Sequence, residues 1–255
     1  ESPDPSRSVS FFKDEMVVGG FIFCFGYASL TYFLKKDLNN KYFLFFIIVL
    51  LLLPSIVFLT GERSNFIKSS LLFFTVIFCL KENKFYFNYK TLFILFIISI
   101  SLITLINKTS KERYYEFFKR IQIAESNKTI MDKLQNIRYI AHYDTAIKIF
   151  KEYPISGIGN KNFRKECLKD IYYEKKIKFS GQRCSTHPHQ IHFEILSEQG
   201  IVGYILIISF ILVFLIKNIK VFIQNKNIHH LSNITYLSLF FIPILPGGGI
   251  FSTFN

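Results

Sequence analysis

The sequence predicts an all-α fold: a polytopic transmembrane helical bundle with a large, mostly helical loop outside the membrane. Two observations support this prediction. Half of the 255 residues are hydrophobic and the mean hydropathy is +0.30, although the net charge is +13. The charge is also segregated, because long stretches almost without charge alternate with short lysine-bearing segments, and one block of about ninety residues holds most of it. A single soluble core does not fit this pattern, and the apolar content excludes intrinsic disorder.

Six apolar segments are candidates for membrane spans. A bilayer core about 30 Å thick needs about 20 mostly apolar helical residues. The candidates lie at about 16–34, 42–60, 66–80, 88–106, 200–216 and 234–251. The last contains Pro243, Pro246 and three consecutive glycines, so we expect it to break before it crosses. The predicted organisation is therefore four membrane helices in 1–106, the loop in 107–199, and two further helices in 200–255, the last of them broken and truncated.

The orientation of the spans follows from their short loops. The segments on one side, 35–41, 81–90 and 217–233, carry nine lysines, whereas those on the other side, 1–15 and 61–65, carry two arginines and one lysine. By the positive-inside rule the lysine-rich side is cytoplasmic. The segment 107–199 is therefore predicted to lie outside the cytoplasm, and its chemistry with it.

Two helices are expected in the first half of this loop. Apolar residues recur at helical spacing in 111–124, which fits either a helix lying on the membrane surface or one packed on the rest of the loop. A second helix is predicted to begin near Thr129, where a T-x-x-D spacing resembles a capping box, and to end at about Tyr153, before a proline. The turn-rich P-I-S-G-I-G-N-K-N-F follows, in which Gly157 and Gly159 suit either a plain turn or a close backbone approach to a ligand.

The loop contains two cysteines, Cys167 and Cys184. In an oxidising compartment they are candidates for a disulfide, although sequence alone gives neither their distance nor their geometry.

Three histidines stand just before the fifth apolar segment, in S-T-H-P-H-Q-I-H. Three interpretations of His187, His189 and His192 are open from the residues alone. They could ligate a metal, although the spacing matches no zinc motif; they could be interfacial residues without chemistry; or one could act as a general base, since imidazole titrates near neutral pH.

The spacing after these histidines resembles one known family. His189-Gln190, nine residues, and then Gly200-Ile201-Val202-Gly203 fit the pattern H-[NSQ]-x9-G-x-x-[GTY] of the O-antigen ligases. Similar elements are T-G-E-R-S-N with Arg63 just after a span, the run from Arg138 through Y-P-I-S-G-I-G-N-K-N-F, and F-F-K-D-E-M-V-V-G-G-F near the start. The chain begins without Met, and we interpret it as the C-terminal half of a longer family member.

The resemblance implies a site, substrates and a location. It implies that His189 is the catalytic base and that Arg63 and Arg138 bind the diphosphate of the donor. It further implies accessory roles for four residues: His187, His192, Lys161 and Arg164. The implied partners are an undecaprenyl diphosphate-linked glycan, lipid A-core or a second lipid-linked glycan, and membrane lipids. No cofactor, metal or nucleic acid is expected. The implied location is the bacterial inner membrane, multi-pass, with 107–199 as a periplasmic loop.

The function expected from the resemblance is transfer of a glycan from undecaprenyl diphosphate to a sugar hydroxyl of lipid A-core, in lipopolysaccharide biosynthesis. An O-antigen polymerase would use the same donor and a lipid-linked acceptor, and the sequence does not separate the two. A polyprenyl-glycan transporter would carry ionisable residues deep in its spans, whereas the apolar cores of the second and fourth spans are free of charge. An assembly subunit is the remaining alternative.

Overall fold

The computed structural model describes residues 18–34, 40–80, 89–107, 137–177, 179–225, 228–243 and 245–251, with a few isolated positions between 111 and 119. Every regular element in these ranges is helical, as the sequence predicted, and none is a strand. The chain divides into two compact units. The first comprises 1–117 and 215–240, and the second comprises 118–214 and 241–255.

The longer helices are numbered in chain order. They are α1 Val18–Leu34, α2 Asn40–Leu59, α3 Arg63–Leu80, α4 Tyr89–Ile106, α5 Arg138–Glu152, α6 Phe163–Glu166, α7 Ile191–Asn225 and α8 Ile228–Phe240. Short 3₁₀ turns at Asp170–Tyr172 and Ser180–Gln182 lie between α6 and α7. The predicted surface helix at 111–124 falls mostly outside the described residues.

The first unit is built on an apolar core between α1, α2, α3 and α4. Phe46 and Leu50 of α2 pack with Leu72 and Phe73 of α3, and all four side chains are almost fully buried. Small residues let α1 come close to its neighbours, since a Cβ on Gly26 would collide with the side chain of Leu53. The four helices begin and end close to the first four apolar segments of the sequence, although α3 starts three residues earlier than expected.

Large apolar side chains remain exposed along these helices, particularly on α2 and α4. Within the described residues, one helix, Ile191–Asn225, is long and apolar enough by length and composition to cross a membrane. Shorter apolar helical stretches are Val18–Tyr27, Leu44–Leu59 and Lys90–Ile106. The exposed apolar surface is what a lipid environment would cover.

The turn between α2 and α3 places Arg63 at the start of α3. Gly61 ends α2 in the left-handed conformation, with φ of 73°, which favours glycine at this position. The buried carboxylate of Glu62 accepts hydrogen bonds from the backbone N–H of Gly19 and from Nδ2 of Asn65, each at 2.6 Å. Arg63 therefore follows a turn that is tied to the first turn of α1.

Lys68, which the third apolar segment had to accommodate, is buried and 5% exposed. Its ammonium nitrogen lies 5.9 Å from the centroid of the Phe240 ring of α8, where a cation is attracted by the negative ring face.

The second unit has its own core, formed by Ala146 and Ile149 of α5 with Phe163, Tyr172 and the disulfide region. The helix predicted to run from Thr129 to about Tyr153 ends where expected but does not run continuously from that start. Ile137 has an extended backbone, with φ of −97° and ψ of 121°, so α5 begins at Arg138. Residues 121–136 lie outside the described part of the chain.

Helix α7 is longer than the predicted span at 200–216, but it is interrupted. Gly200 has φ of 64° and ψ of −168°, so residues 191–199 and 201–225 are two helical segments. Only the second corresponds to the apolar segment. Helix α8 ends at Phe240, and the described residues from 241 to 251 are not helical.

Candidate active site

His189 lies in a constrained loop just before α7. Its φ is 60°, a left-handed conformation that costs a residue with a side chain roughly 1 to 3 kcal/mol and persists only where neighbouring groups enforce it. The N–H of Gly247 donates to the carbonyl of His189 at 2.8 Å. On the side chain, Nε2 lies 2.9 Å from the hydroxyl of Ser185. Both the backbone and the ring of His189 are therefore held in place.

Two further imidazoles and a phenol ring lie around His189. The ring centroid of His187 lies 4.4 Å away, that of His142 5.2 Å away and that of Tyr139 5.3 Å away. His142 and Tyr139 come from α5 and were not predicted as site residues. A sequence signal was nevertheless present, because Arg138 and His142 are spaced i, i+4 and so share a helix face.

His187 is kept neutral at ordinary pH. Burial, against the opposing effect of the Gly247 backbone and with smaller contributions from the nearby His142 and Arg164, lowers the pKa of His187 to about 4. Its Nδ1 lies 2.9 Å from the hydroxyl of Thr186. An imidazole with this pKa is uncharged at neutral pH, so His187 adds no positive charge next to His189.

His192 points away from this cluster. Its Nδ1 lies 3.1 Å from the Tyr204 hydroxyl, and its Nε2 lies 2.8 Å from the carbonyl oxygen of Phe241. Because a carbonyl only accepts, Nε2 carries the proton and Nδ1 accepts from the tyrosine. Of the three histidines that are close in sequence, His187 and His189 therefore lie together, and His192 has different partners. Among the described residues, no group of three or more His, Cys, Asp or Glu side chains is placed to hold a metal ion.

The cationic residues expected at the site occupy different places. Arg138 is exposed on the first turn of α5, next to Tyr139. Arg164 is exposed on α6 and acts electrostatically on His187. Lys161 has a left-handed backbone, with φ of 61°. Arg63 belongs to the first unit, at the start of α3.

The turn-rich segment after α5 packs on the break in α7. At the break, the N–H of Ile201 donates to the carbonyl of Pro154 at 2.8 Å. A Cβ on Gly200 would collide with the carbonyl of Ile155, and one on Gly157 would collide with the backbone of Glu198. Gly157 and Gly200 therefore allow a close approach between two protein segments.

The carboxylate of Glu198 fixes the next part of this segment. Its two oxygens accept the backbone N–H groups of Lys161, at 2.7 Å, and Phe163, at 3.1 Å. Burial raises the pKa of Glu198, and these two hydrogen bonds oppose the shift. The carboxylate was not predicted as a site residue, yet it determines where the loop carrying Lys161 lies.

A second buried carboxylate, Glu194, fixes the segment after α8. It accepts the backbone N–H groups of Ile250, at 2.9 Å, and Phe251, at 3.2 Å. Gln190 adds a bond from Nε2 to the carbonyl of Pro243, at 2.9 Å. Burial raises the pKa of Glu194 to about 7; the two backbone N–H groups lower it and the nearby Glu198 raises it. With the Gly247 bond to His189, this segment is attached to α7 and its preceding loop at three places.

Cys167 and Cys184, the pair proposed from the sequence, are joined by a disulfide with their Cα atoms 5.3 Å apart. Arg183, next to the second cysteine, binds the chain near the first: its Nε donates to the carbonyl of Cys167 at 2.9 Å, and Nη2 donates to that of Leu168 at 3.1 Å. The loop leading to the histidines is therefore held by a disulfide and by hydrogen bonds.

The arrangement suits proton abstraction from a hydroxyl group. A neutral imidazole whose ring is fixed by a hydroxyl and two aromatic neighbours can accept a proton without reorganising, and histidine has the pKa range for this role. Arginine side chains stay charged and bind phosphate oxygens in a forked geometry, which suits an anionic leaving group.

The family model described as O-antigen ligase matches residues 19–208, which is most of the chain. The chain therefore belongs to the O-antigen ligase family. This family points to a membrane glycosyltransferase of the ligase or polymerase kind, located in the bacterial inner membrane and acting on lipid-linked glycans. No curated protein matches the chain.

Proposed function

We propose that the protein transfers a glycan from undecaprenyl diphosphate to a sugar hydroxyl of lipid A-core, with His189 as the general base. The observation that carries the proposal is the constrained His189, at φ of 60°, with its carbonyl bound by Gly247 and its ring bound by Ser185, inside the family's histidine motif. Strained backbone held by several contacts is typical of functional sites.

The proposed step is a single displacement. The acceptor hydroxyl oxygen attacks the anomeric carbon of the donor while His189 takes the hydroxyl proton. The bond between that carbon and the diphosphate oxygen breaks, and undecaprenyl diphosphate leaves with the electron pair. The new glycosidic bond joins glycan and acceptor. No oxidant, reductant or nucleotide is consumed.

The developing charge on the diphosphate is assigned to arginines. Arg63 and Arg138 are proposed to bind it, with Lys161 and Arg164 extending the cationic surface. Cations at a departing phosphate stabilise the transition state more than the bound substrate, which raises kcat. Because arginine supplies that charge, we propose metal-independent transfer. Loss of activity in EDTA with recovery on adding a divalent ion would contradict this part of the proposal.

The location proposed is the inner membrane, with several spans, the lysine-rich short loops in the cytoplasm and residues 107–199 in the periplasm. The exposed apolar surface of α2 and α4 supports membrane embedding. Single cysteines introduced at exposed helical positions should react with a membrane-impermeant maleimide in whole cells when placed at Glu152, at the end of α5, and not when placed at Lys220, near the end of α7. Equal labelling at both positions would contradict the orientation.

The test of the function is substitution of His189 by Ala in an otherwise intact protein. In cells, polymer attached to lipid A-core should vanish while the protein level stays normal and lipid-linked chains remain long. A ladder that collapses to one repeat unit would instead indicate a polymerase. A matched control is His230→Ala, since His230 is a part-buried histidine whose Nδ1 binds Asn218 in the first unit. Unchanged attachment in His189→Ala would reject the base assignment.

A further inference from the structure

His142 is almost fully buried, at 3% exposure, and its ring is held by one defined bond. Its Nδ1 lies 2.8 Å from the backbone carbonyl oxygen of Arg183. Since a carbonyl cannot donate, Nδ1 must carry the proton, so in the neutral ring Nε2 is the acceptor. The bond fixes both the rotation of the ring and its tautomer.

The carbonyl that fixes His142 is itself fixed. The side chain of Arg183 is bound to the carbonyls of Cys167 and Leu168, and the next residue is in the disulfide. The guanidinium also lies 5.7 Å from the centroid of the Tyr173 ring. Because the side chain and the following residue are both anchored, the Arg183 carbonyl has little freedom to move.

The ring of His142 also contacts His189, the proposed base. The His142 ring meets the His189 ring edge to face, with centroids 5.2 Å apart and planes inclined by 60°. Tyr139, three residues earlier on α5, meets the same ring at 5.3 Å and 65°. His187 and the hydroxyl of Ser185 also contact the His189 ring.

We propose that His142 is a positioning residue for the transfer reaction: anchored through Nδ1 to the Arg183 carbonyl, it holds the His189 ring in the orientation that accepts the acceptor's proton. The inference rests on the proposed role of His189. His142 touches neither donor nor acceptor in this assignment and acts through His189 alone. Its loss should therefore affect the chemical step and leave donor binding unchanged.

The experiment uses the full-length protein in lipid nanodiscs, with lipid-linked glycan as donor and lipid A-core as acceptor. The informative variant is His142→Asn, because the asparagine amide can still donate to the Arg183 carbonyl while the ring that packs on His189 is gone. We expect kcat to fall about 10- to 100-fold, as is typical when a reacting group is misplaced by about 1 Å, with KM for the donor unchanged. His142→Ala should lose at least as much kcat.

Two controls keep the outcomes distinct. His230→Asn removes another histidine whose Nδ1 is hydrogen-bonded, outside the site, and should leave kcat unchanged. Three results would each overturn the inference. The first is an equal kcat for His142→Asn and the wild type, and the second is a rise in KM without a loss of kcat. The third is a loss of kcat that is accompanied by a fall in melting temperature and disappears when kcat is corrected for the unfolded fraction. His189→Ala is measured in parallel. If His189→Ala stays active, the proposed function is wrong. If His189→Ala is inactive while His142→Asn keeps the wild-type kcat, only the role of His142 is wrong.

Discussion

Glu194 and His187 should give the second unit two opposing dependences of stability on pH. The folded pKa of Glu194 is about 7 against an ordinary value of 4.5, so the folded chain binds the extra proton between these values and stability falls as pH rises through them. The folded pKa of His187 is about 4 against 6.5, so the unfolded chain binds the extra proton and stability rises as pH increases from 4 to 6.5.

The two effects are similar in size. Each pKa differs by about 2.5 between the folded and unfolded states, which corresponds to roughly 3 kcal/mol at about 1.4 kcal/mol per pH unit. Taken as a pair, the two contributions nearly cancel between pH 4.5 and 6.5, while the raised pKa of the buried Glu198 adds a further fall in stability as pH rises. Glu194→Gln should remove the Glu194 contribution, so stability should rise more with pH in this range than it does in the wild type. His187→Gln should remove the His187 contribution, so stability should fall as pH rises in this range.

The assay is thermal unfolding in nanodiscs at half-unit pH steps from 4 to 7.5, followed by near-ultraviolet circular dichroism. The control is Glu152→Gln, since Glu152 is exposed at the end of α5 and its loss should leave the wild-type profile unchanged. Relative to the wild type, the two substitutions should change the slope of stability against pH in opposite directions. Parallel profiles for both variants and the wild type would refute the assignment of buried, shifted groups at these positions.

Three further outcomes are expected. Gly200→Ala should destabilise the second unit by about 2 kcal/mol or more in thermal unfolding, because the left-handed conformation is costly for alanine and its Cβ would collide with a carbonyl. The control is Gly181→Ala, which should be nearly neutral because a Cβ there meets nothing within 4 Å. Cys184→Ser should lower stability by about 3 kcal/mol, since the disulfide closes a loop of 17 residues, and reductant should reproduce the loss in the wild type alone. Ser185→Ala should reduce kcat about 10-fold by freeing the His189 ring; an unchanged kcat would show that this hydrogen bond is dispensable.

Much of the helical framework was predictable because hydrophobicity along the chain determines it. The uncharged segments correspond closely to α1, α2 and α4. Helix α3 begins at Arg63, before the apolar segment, because a hydropathy pattern does not detect a polar first turn ordered by Glu62. The start of α5 was predicted too early, since a T-x-x-D spacing near Thr129 indicates that a cap can form there and not that the helix continues through Ile137.

The site was predictable only in part. The motif identified His189 because its spacing to Gly200 is local in sequence. His142 was missed because its partner, the carbonyl of Arg183, lies 41 residues away and leaves no local pattern. Glu194 and Glu198 looked like ordinary polar residues before an apolar segment. Their spacing of four was the available signal, but the backbone N–H groups that they bind belong to segments distant in sequence.

The spacing of nine residues between Gln190 and Gly200 sets the helix face on which the two carboxylates lie and the point at which the helix breaks. Gln190, Glu194 and Glu198 are four residues apart, so they follow one face of the helical segment 191–199, and Gly200 ends that segment. One inserted residue would rotate everything after it by about 100° around the helix axis. The two backbone segments held by the carboxylates could not both be reached after such a rotation. The interval between Gln190 and Gly200 therefore has to keep its length for both carboxylates to hold their backbone segments.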